Sequence, residues 1–132
     1  MKINELSVGD WVRYRDREWQ VCSLYKFTEE VGLWRKDSQF CEYVSDLHHI
    51  PLTAEILEKN GFRKLDRFNE YVIGEWDSNP FIAVRLAEKF VEPTILAKNG
   101  GTSAHLFGSR GEYVHQLQHA LRLAGIGKEI EV

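Results

Sequence analysis

The sequence predicts an α+β protein, and three observations lead to that prediction. Short segments in which apolar and polar residues alternate fill residues 1–52 and most of residues 62–107. Two segments with helical periodicity and clear start and stop signals occupy residues 53–60 and 110–124. The chain has 132 residues, of which 43% are hydrophobic, so it is long and apolar enough to bury a sizeable core.

These segments suggest two subdomains that pack as one compact unit. Residues 1–52 are expected to form a small β-barrel-like sheet. Residues 53–132 are expected to form an α+β subdomain, in which a short helix precedes a second antiparallel sheet and a C-terminal amphipathic helix completes the chain.

The N-terminal subdomain begins with the segment LSVGDWVRYRDREWQVCSLYKF, in which polar and apolar residues alternate. A turn at residues 16–17 is expected to divide this segment into two strands. The segments VGLWR and FCEYVSDL supply two further strands. Four short strands at roughly ten-residue spacing are typical of small curled sheets and of open barrels of the Src-homology-3 shape.

The short helix over residues 53–60 carries a signal at each end. Thr53 is a favourable N-cap residue, because its hydroxyl can accept a backbone N–H group of the first helical turn. Gly61 is expected to end the helix, and Phe62 is expected to fold back on Leu57.

Four strands of the second sheet are expected within residues 62–107. The segments EYVIGEW and FIAVRLAEKF flank the turn sequence DSNP, and the segments PTILAK and SAHLF flank Asn99-Gly100-Gly101. The last helix is expected to start at a capping box formed by Ser109 and Glu112 and to stop at Gly125. The alternation and the helical periodicity together predict a core made of Val12, Val21, Leu24, Leu33, Ile56, Leu57, Ile82, Val84, Leu86, Leu117 and Leu121.

Three distinctive segments of the chain are LSVGDWVRY, IPLTAEILEKNGF and YVHQLQHALRLAGIGKEIEV. Together they resemble a set of small proteins that prophages and mobile elements of gut-dwelling bacteria carry. The likeness touches the beginning, middle and end of the chain and is weakest over residues 63–111. It implies a mobile-element setting, and it implies no activity, cofactor or catalytic residue because none is established for that set.

Composition and charge narrow the possible functions. The net charge is −3 and both signs are spread evenly along the chain, so generic binding to a phosphate backbone has no bulk electrostatic support. The first residues lack the apolar segment of a secretory signal, and no apolar run approaches the roughly 20 residues that a membrane span needs. We therefore expect a cytoplasmic protein with no membrane partner, in which Cys22 and Cys41 are reduced and packed as small core residues.

The last predicted helix carries two histidines, His115 and His119, at a spacing of four residues. With Glu112 they could bind a metal ion and support a metal-dependent enzyme. The zinc protease motif H-E-x-x-H requires glutamate where this chain has Gln116, and glutamine cannot accept a proton from a metal-bound water. Helical geometry places Leu117 opposite the imidazoles, so we expect both histidines to face solvent and we assign no cofactor.

Two other groups of residues could bind an anionic ligand. Trp11, Arg13 and Arg15 alternate with apolar residues on the first strand, so they are expected to share a face that could stack bases and contact phosphates. Ser109 and Arg110 precede the last helix, and a helix N-terminus can hold an anion.

The function that these observations favour is a non-catalytic interaction module, an accessory protein of a mobile element that binds another protein. The chain shows no recognisable catalytic constellation, its charge is balanced, and it is rich in Trp and Tyr. Nucleic-acid binding and metal-dependent catalysis stay open as alternatives.

Overall fold

The computed structural model describes residues 1–66, 69–100 and 105–132 of the chain. The α+β fold class predicted from the sequence is confirmed: these residues form two antiparallel sheets, one short α-helix and one C-terminal α-helix. It divides into two compact units, Met1–Ile50 and Pro51–Val132.

The first unit is built on a four-stranded antiparallel sheet in which strand order follows chain order. Short 3-10 helices at Ile3–Glu5 and Val44–Asp46 precede and follow the sheet. The strands are β1 (Trp11–Tyr14), β2 (Arg17–Tyr25), β3 (Glu30–Arg35) and β4 (Ser38–Tyr43).

The β-barrel-like form expected for this sheet is wrong, because the sheet is not closed into a barrel. Among the described residues, the backbone of β1 forms one bridge beyond its ladder with β2: Arg13 and His48 exchange two backbone hydrogen bonds of 2.9 Å. A barrel needs a continuous ladder between its first and last strands, and a single bridged pair does not provide one.

The core of the first unit confirms the expected alternation along its strands. Val12, Val21 and Leu33 are buried, as predicted, whereas Leu24 is only half-buried. These buried side chains project from one face of the sheet, together with Val31. The opposite face, which we call the outer face, carries the alternate residues, and Trp11, Gln20, Trp34 and Gln39 form one cross-strand row on it.

The second unit starts with helix α1 (Ala54–Lys59), which has the predicted caps. The backbone N–H of Ile56 donates to Thr53 Oγ1 at 3.3 Å. Gly61 has a φ angle of +86°, and the backbone N–H of Phe62 donates to the carbonyl of Leu57 at 3.0 Å. A left-handed residue just past the helix lets the chain reverse and satisfy the last carbonyls.

The second sheet has five antiparallel strands, one more than predicted, and their order again follows the chain. The additional strand is a two-residue segment that follows α1 and pairs with the next strand. The sequence pattern extended the third strand to Phe90, but this strand ends at Arg85. It ends there because the chain turns at a bridge between Glu88 and Val91. The strands are β5 (Arg63–Lys64), β6 (Glu70–Ile73), β7 (Phe81–Arg85), β8 (Thr94–Asn99) and β9 (His105–Arg110).

The last helix, α2 (Val114–Leu123), begins four residues later than predicted. The capping box predicted from Ser109 is wrong, because Ser109 pairs with Ile95 as part of β9. Gln116 caps the helix instead: its Oε1 accepts the backbone N–H groups of Glu112 at 2.8 Å and Tyr113 at 3.0 Å.

The end of α2 is as predicted. Gly125 has a φ angle of +73°, and the backbone N–H of Ile126 donates to the carbonyl of Leu121 at 2.8 Å. Most predicted core residues of the second unit are buried: Leu57, Ile82, Val84, Leu117 and Leu121. Ile56 and Leu86 are only half-buried. In the part of the chain that the structure describes, no helix has the length and apolar character needed to cross a membrane.

Candidate functional site

A groove of about 490 Å³ lies on one face of the second sheet, and we call it the sheet groove. Its volume falls within the range of roughly 300–1,000 Å³ that is usual for ligand sites in proteins. Most of its lining comes from β6, β7 and β8 and from the last residue of β9: the lining residues are Glu70, Ala83, Arg85, Glu92, Pro93, Thr94, Ile95, Leu96 and Arg110.

Strand register places four polar residues in one row across this groove. Glu70 pairs with Arg85, Arg85 pairs with Thr94, and Thr94 pairs with Arg110. Directly paired residues of antiparallel strands project from the same face of the sheet. The exposed Thr94 therefore lies between two arginines, and we call these four residues the charged row.

A second row lies two residues further along each strand and is apolar. Val72 pairs with Ala83, and Ala83 pairs with Leu96. Val72 and Ala83 are buried and form a small cluster with Phe81, and Leu96 is half-buried against that cluster. We call Val72, Ala83 and Leu96 the apolar row.

Each arginine of the charged row has an acidic neighbour. Arg85 Nη2 lies 3.5 Å from Glu70 Oε2, and Arg110 Nη2 lies 2.6 Å from Glu112 Oε1. The hydrogen bond to Glu112, reinforced by its charge, raises the pKa of Arg110, so this guanidinium stays cationic. The Arg110 side chain is exposed, whereas Arg85 and Glu70 are half-buried. Ion pairs at exposed positions contribute only about 0–1 kcal/mol, so a ligand carboxylate or phosphate can compete for Arg110.

The chemistry available in the sheet groove is recognition of an anionic group beside an apolar one. Guanidinium groups bind carboxylate and phosphate through paired N–H donors, and the Thr94 hydroxyl between them can donate a further hydrogen bond. Among the described residues that line the groove there is no imidazole, thiol or amine. Two carboxylates, Glu70 and Glu92, line the groove together with the two arginines.

The anion site predicted from the sequence has a different geometry. Arg110 ends a strand, whereas it was expected to precede the helix directly, and it contributes to the sheet groove. The side chain of Ser109 lies outside the described residues, and its backbone belongs to β9. Sequence reasoning missed Arg85 and Thr94 as partners of Arg110, because their proximity depends on strand register. The only available signal was the alternation of Arg85 with buried neighbours.

The predicted exposure of the histidine pair is wrong for His115, which is 5% exposed. The Tyr113 ring stacks on its imidazole, with 5.9 Å between ring centroids, and the half-buried His119 meets it edge-on at 5.5 Å. Glu112, the third predicted ligand, is hydrogen-bonded to Arg110 at 2.7 Å. Within the described residues, no group of three or more His, Cys, Asp or Glu side chains is arranged to hold a metal ion.

Trp11, Arg13 and Arg15 were expected to share one strand face, and this expectation is wrong for Arg15. Arg15 lies in the β1–β2 turn with a φ angle of +47°, and its guanidinium carbon sits 5.3 Å from the centre of the Tyr14 ring. Arg13 stays on the strand and lies 3.2 Å from Glu18, the residue opposite it on β2. The turn begins one residue earlier than predicted, which removes Arg15 from the row.

Comparisons of the chain with protein-family models, with curated proteins and with solved structures find no match.

Proposed function

We propose that the protein is a non-catalytic interaction module whose sheet groove binds a short segment of a partner protein. The segment places an acidic group between Arg85 and Arg110 and an apolar side chain over Ala83 and Leu96. The mobile-element setting stays a prediction from the resemblance and does not enter this proposal.

The observation that supports the proposal is that the charged row lies beside Ala83 and Leu96 of the apolar row within one groove. Binding sites for small segments combine a mostly apolar surface with a few fixed polar groups that determine orientation. Here Thr94 and the two arginines supply the polar groups, and the floor is held in place by central strands of the sheet. A groove of about 490 Å³ has room for a few residues of a bound peptide.

Selection from a displayed library of random heptapeptides with the full-length protein as bait tests this function. We expect the enriched peptides to contain an acidic residue next to apolar residues. A synthetic peptide from the selection should bind Arg85→Gln and Arg110→Gln with an affinity reduced on the order of tenfold, because each variant loses a hydrogen bond to a charged group.

Arg63→Gln is the matched control for these variants. Arg63 is also an exposed arginine paired with a glutamate, Glu75, but it does not line the sheet groove. Equal loss of affinity in Arg63→Gln, unchanged affinity in both groove variants, or enrichment of peptides without the acidic and apolar pattern would each overturn the proposal.

Nucleic-acid binding stays an alternative because one observation favours it. Trp11 and Trp34 share a cross-strand row on the outer face of the first sheet, where aromatic rings can stack on bases. A mobility-shift titration against single- and double-stranded DNA and RNA at two salt concentrations distinguishes it from peptide binding. Salt-sensitive binding at micromolar protein that Trp11→Ala or Trp34→Ala abolishes would favour this alternative.

A further inference from the structure

Strand β4 is an edge strand of the first sheet, because among the described strands it pairs with β3 alone. It pairs with β3 without a shift of register, and it contains no proline and no basic residue. Natural proteins usually protect an edge with lysine, proline or a bulge, because a bare edge can add a further strand. The charged side chain of β4, Glu42, is hydrogen-bonded to Tyr14 of the same chain. The opposite edge differs, because Arg13 of β1 already pairs with His48.

The backbone groups that β4 turns away from β3 can be identified from one hydrogen bond. The N–H of Val44 donates to the carbonyl of Glu29 at 2.8 Å, one position beyond the last paired residues of the two strands. Antiparallel strands alternate between residues that exchange hydrogen bonds and residues that do not. Tyr43, Cys41 and Gln39 therefore direct their N–H and C=O groups away from β3. Among the described residues, no other backbone group pairs with them.

The side chains of these three residues do not obstruct the edge. Gln39, Cys41 and Tyr43 are all exposed, and they project from the outer face. The expectation that both cysteines pack as core residues is therefore wrong, because Cys41 is exposed and Cys22 is only half-buried. A strand that approaches β4 meets unpaired backbone groups flanked by accessible side chains.

We propose that β4 pairs with the β4 strand of a second copy of this chain, about a twofold axis at Cys41. Two identical edges that pair antiparallel form a closed, symmetric dimer. In this register Cys41 lies opposite Cys41 and Gln39 lies opposite Tyr43, so all three outward-facing residues are hydrogen-bonded. Moving the axis to Phe40 leaves Tyr43 without a paired residue, and moving it to Glu42 places two carboxylates opposite each other.

Charges at the two ends of β4 favour a second copy over an unrelated strand. Lys36 lies in the β3–β4 turn and Asp46 follows the end of β4, and both are exposed. Pairing about Cys41 directs Lys36 of one copy toward Asp46 of the other, because the two residues lie equally far from Cys41 along the chain. The twofold axis repeats this approach of opposite charges. A single pair of short strands makes a small interface, so we expect dissociation in the micromolar to millimolar range.

Sedimentation equilibrium of the full-length protein under reducing conditions measures this association. We expect the average mass to rise with concentration from the 15.4 kDa of one chain toward twice that value. Cys41→Pro should weaken association on the order of tenfold or more, because it removes the N–H that each chain donates at the axis. An edge strand tolerates proline where the N–H faces solvent. Cys41→Ser is the matched control: it removes the thiol, keeps the N–H, and should dimerise as the parent does.

Two charge variants test the register. Cys41→Lys and Cys41→Glu should each dimerise less than the parent, because like charges would lie opposite each other at the axis. An equimolar mixture of the two should form a heterodimer, since the opposed charges then attract. Arg110→Gln should leave the association unchanged, because Arg110 lines the sheet groove and is not part of β4.

Three outcomes would overturn the proposal. The first is a mass that stays at 15.4 kDa up to millimolar concentration. The second is an association that the proline variant leaves unchanged, and the third is a mixture of the charge variants that associates no more than either variant alone. Far-UV circular dichroism establishes that each variant is folded. If the proline variant does not fold, the charge variants alone decide the question.

Discussion

Gly32 illustrates how one absent side chain shapes a surface. Its cross-strand partners Ser23 and Cys41 are small, and the bulge on β2 brings the side chains of Cys22 and Ser23 over its backbone. A Cβ at this position would compete with both for the same space. The bulge, the glycine and the position of the two thiols therefore depend on one another.

Replacement of Gly32 by alanine should lower the free energy of unfolding by about 1–3 kcal/mol, the usual range for overpacking a well-filled site. Ser23 must move, since its hydroxyl occupies the place of the new methyl group. Urea denaturation of the single variant and of Gly32→Ala with Ser23→Ala measures the effect. The double variant should recover most of the loss, and a single variant as stable as the parent protein would contradict this account.

Tyr14 is a residue of the first unit whose pKa the fold shifts. Desolvation, and then a hydrogen bond to Glu42, raise the pKa of Tyr14 above its usual value, and the charge of Arg15 opposes the shift. Below the unfolded-state pKa of about 10 the phenol is protonated in both states, so its full contribution to stability is present. As the pH rises further, the unfolded chain loses the proton first, and this contribution is lost through the folded-state pKa.

The measurement is the growth of phenolate absorbance with pH in the parent protein, in Tyr14→Phe and in Glu42→Gln. The difference between parent and Tyr14→Phe should titrate above the range of an ordinary tyrosine, and Glu42→Gln should bring it closer to that range. A difference spectrum that titrates at or below pH 10 would show that the environment of Tyr14 is not the one described.

At the scale of elements, the β1–β2 turn determines which residues share a strand face. Pairing of Tyr14 with Arg17 leaves Arg15 and Asp16 as a two-residue loop, and both have positive φ angles, +47° and +63°. Such loops favour Asn and Gly, because other residues are strained in the left-handed region. The sequence carries neither residue there, which explains why the turn was predicted one residue too late.

The double substitution Arg15→Asn with Asp16→Gly should therefore raise the free energy of unfolding by about 1 kcal/mol. Thermal and urea unfolding measure it. Asp37→Gly is the control, because Asp37 lies in the β3–β4 turn but is not among the residues with positive φ. That control should be neutral or destabilising by about 0.5–1 kcal/mol, since glycine adds freedom to the unfolded chain. Equal stabilisation by both variants would contradict the prediction.

The two helix stops allow a comparison within one chain. Gly61→Ala and Gly125→Ala should each lower the free energy of unfolding by about 1–2 kcal/mol, the cost of placing an L side chain in the left-handed region. At Gly61 an added Cβ meets nothing within 4 Å, so backbone strain alone would cause the loss. Gly127→Ala also meets nothing within 4 Å and has no such φ angle, so it should change stability by less than about 0.5 kcal/mol.

At the scale of the whole molecule, each unit has its own sheet and its own buried residues, while the net charge belongs to the complete chain. The charge of −3 and the isoelectric point of about 6.0 place the protein near neutrality in mildly acidic solution. A molecule without net charge loses the self-repulsion that keeps it dispersed.

Solubility should therefore pass through a minimum near pH 6.0 and rise again by pH 8. Static light scattering across this range measures it. Replacing the exposed Lys26 and Lys36 by glutamate should move the minimum to lower pH, and replacing both by arginine should leave it in place. A minimum that stays near pH 6.0 in the glutamate variant would show that local patches, not net charge, control association.

The sequence by itself determined the features that depend on a few neighbouring residues. Helix α1 begins at Thr53 and ends before Gly61, and α2 ends before Gly125. Alternation along single strands identified most of the buried side chains. These signals are local because a cap or a strand face is decided by residues within a few positions of each other. The α+β class follows from the order of such segments.

Only the tertiary structure decided which distant residues became neighbours. Arg85, Thr94 and Arg110 form one row, and Cys22 and Cys41 flank a glycine, because the ladders between strands have one register and not another. A shift of one residue would send each side chain to the opposite face, and no local pattern records that register. Helical periodicity could not predict the burial of His115. The angle around a helix axis gives the direction of a side chain, but it does not show what packs against that side chain.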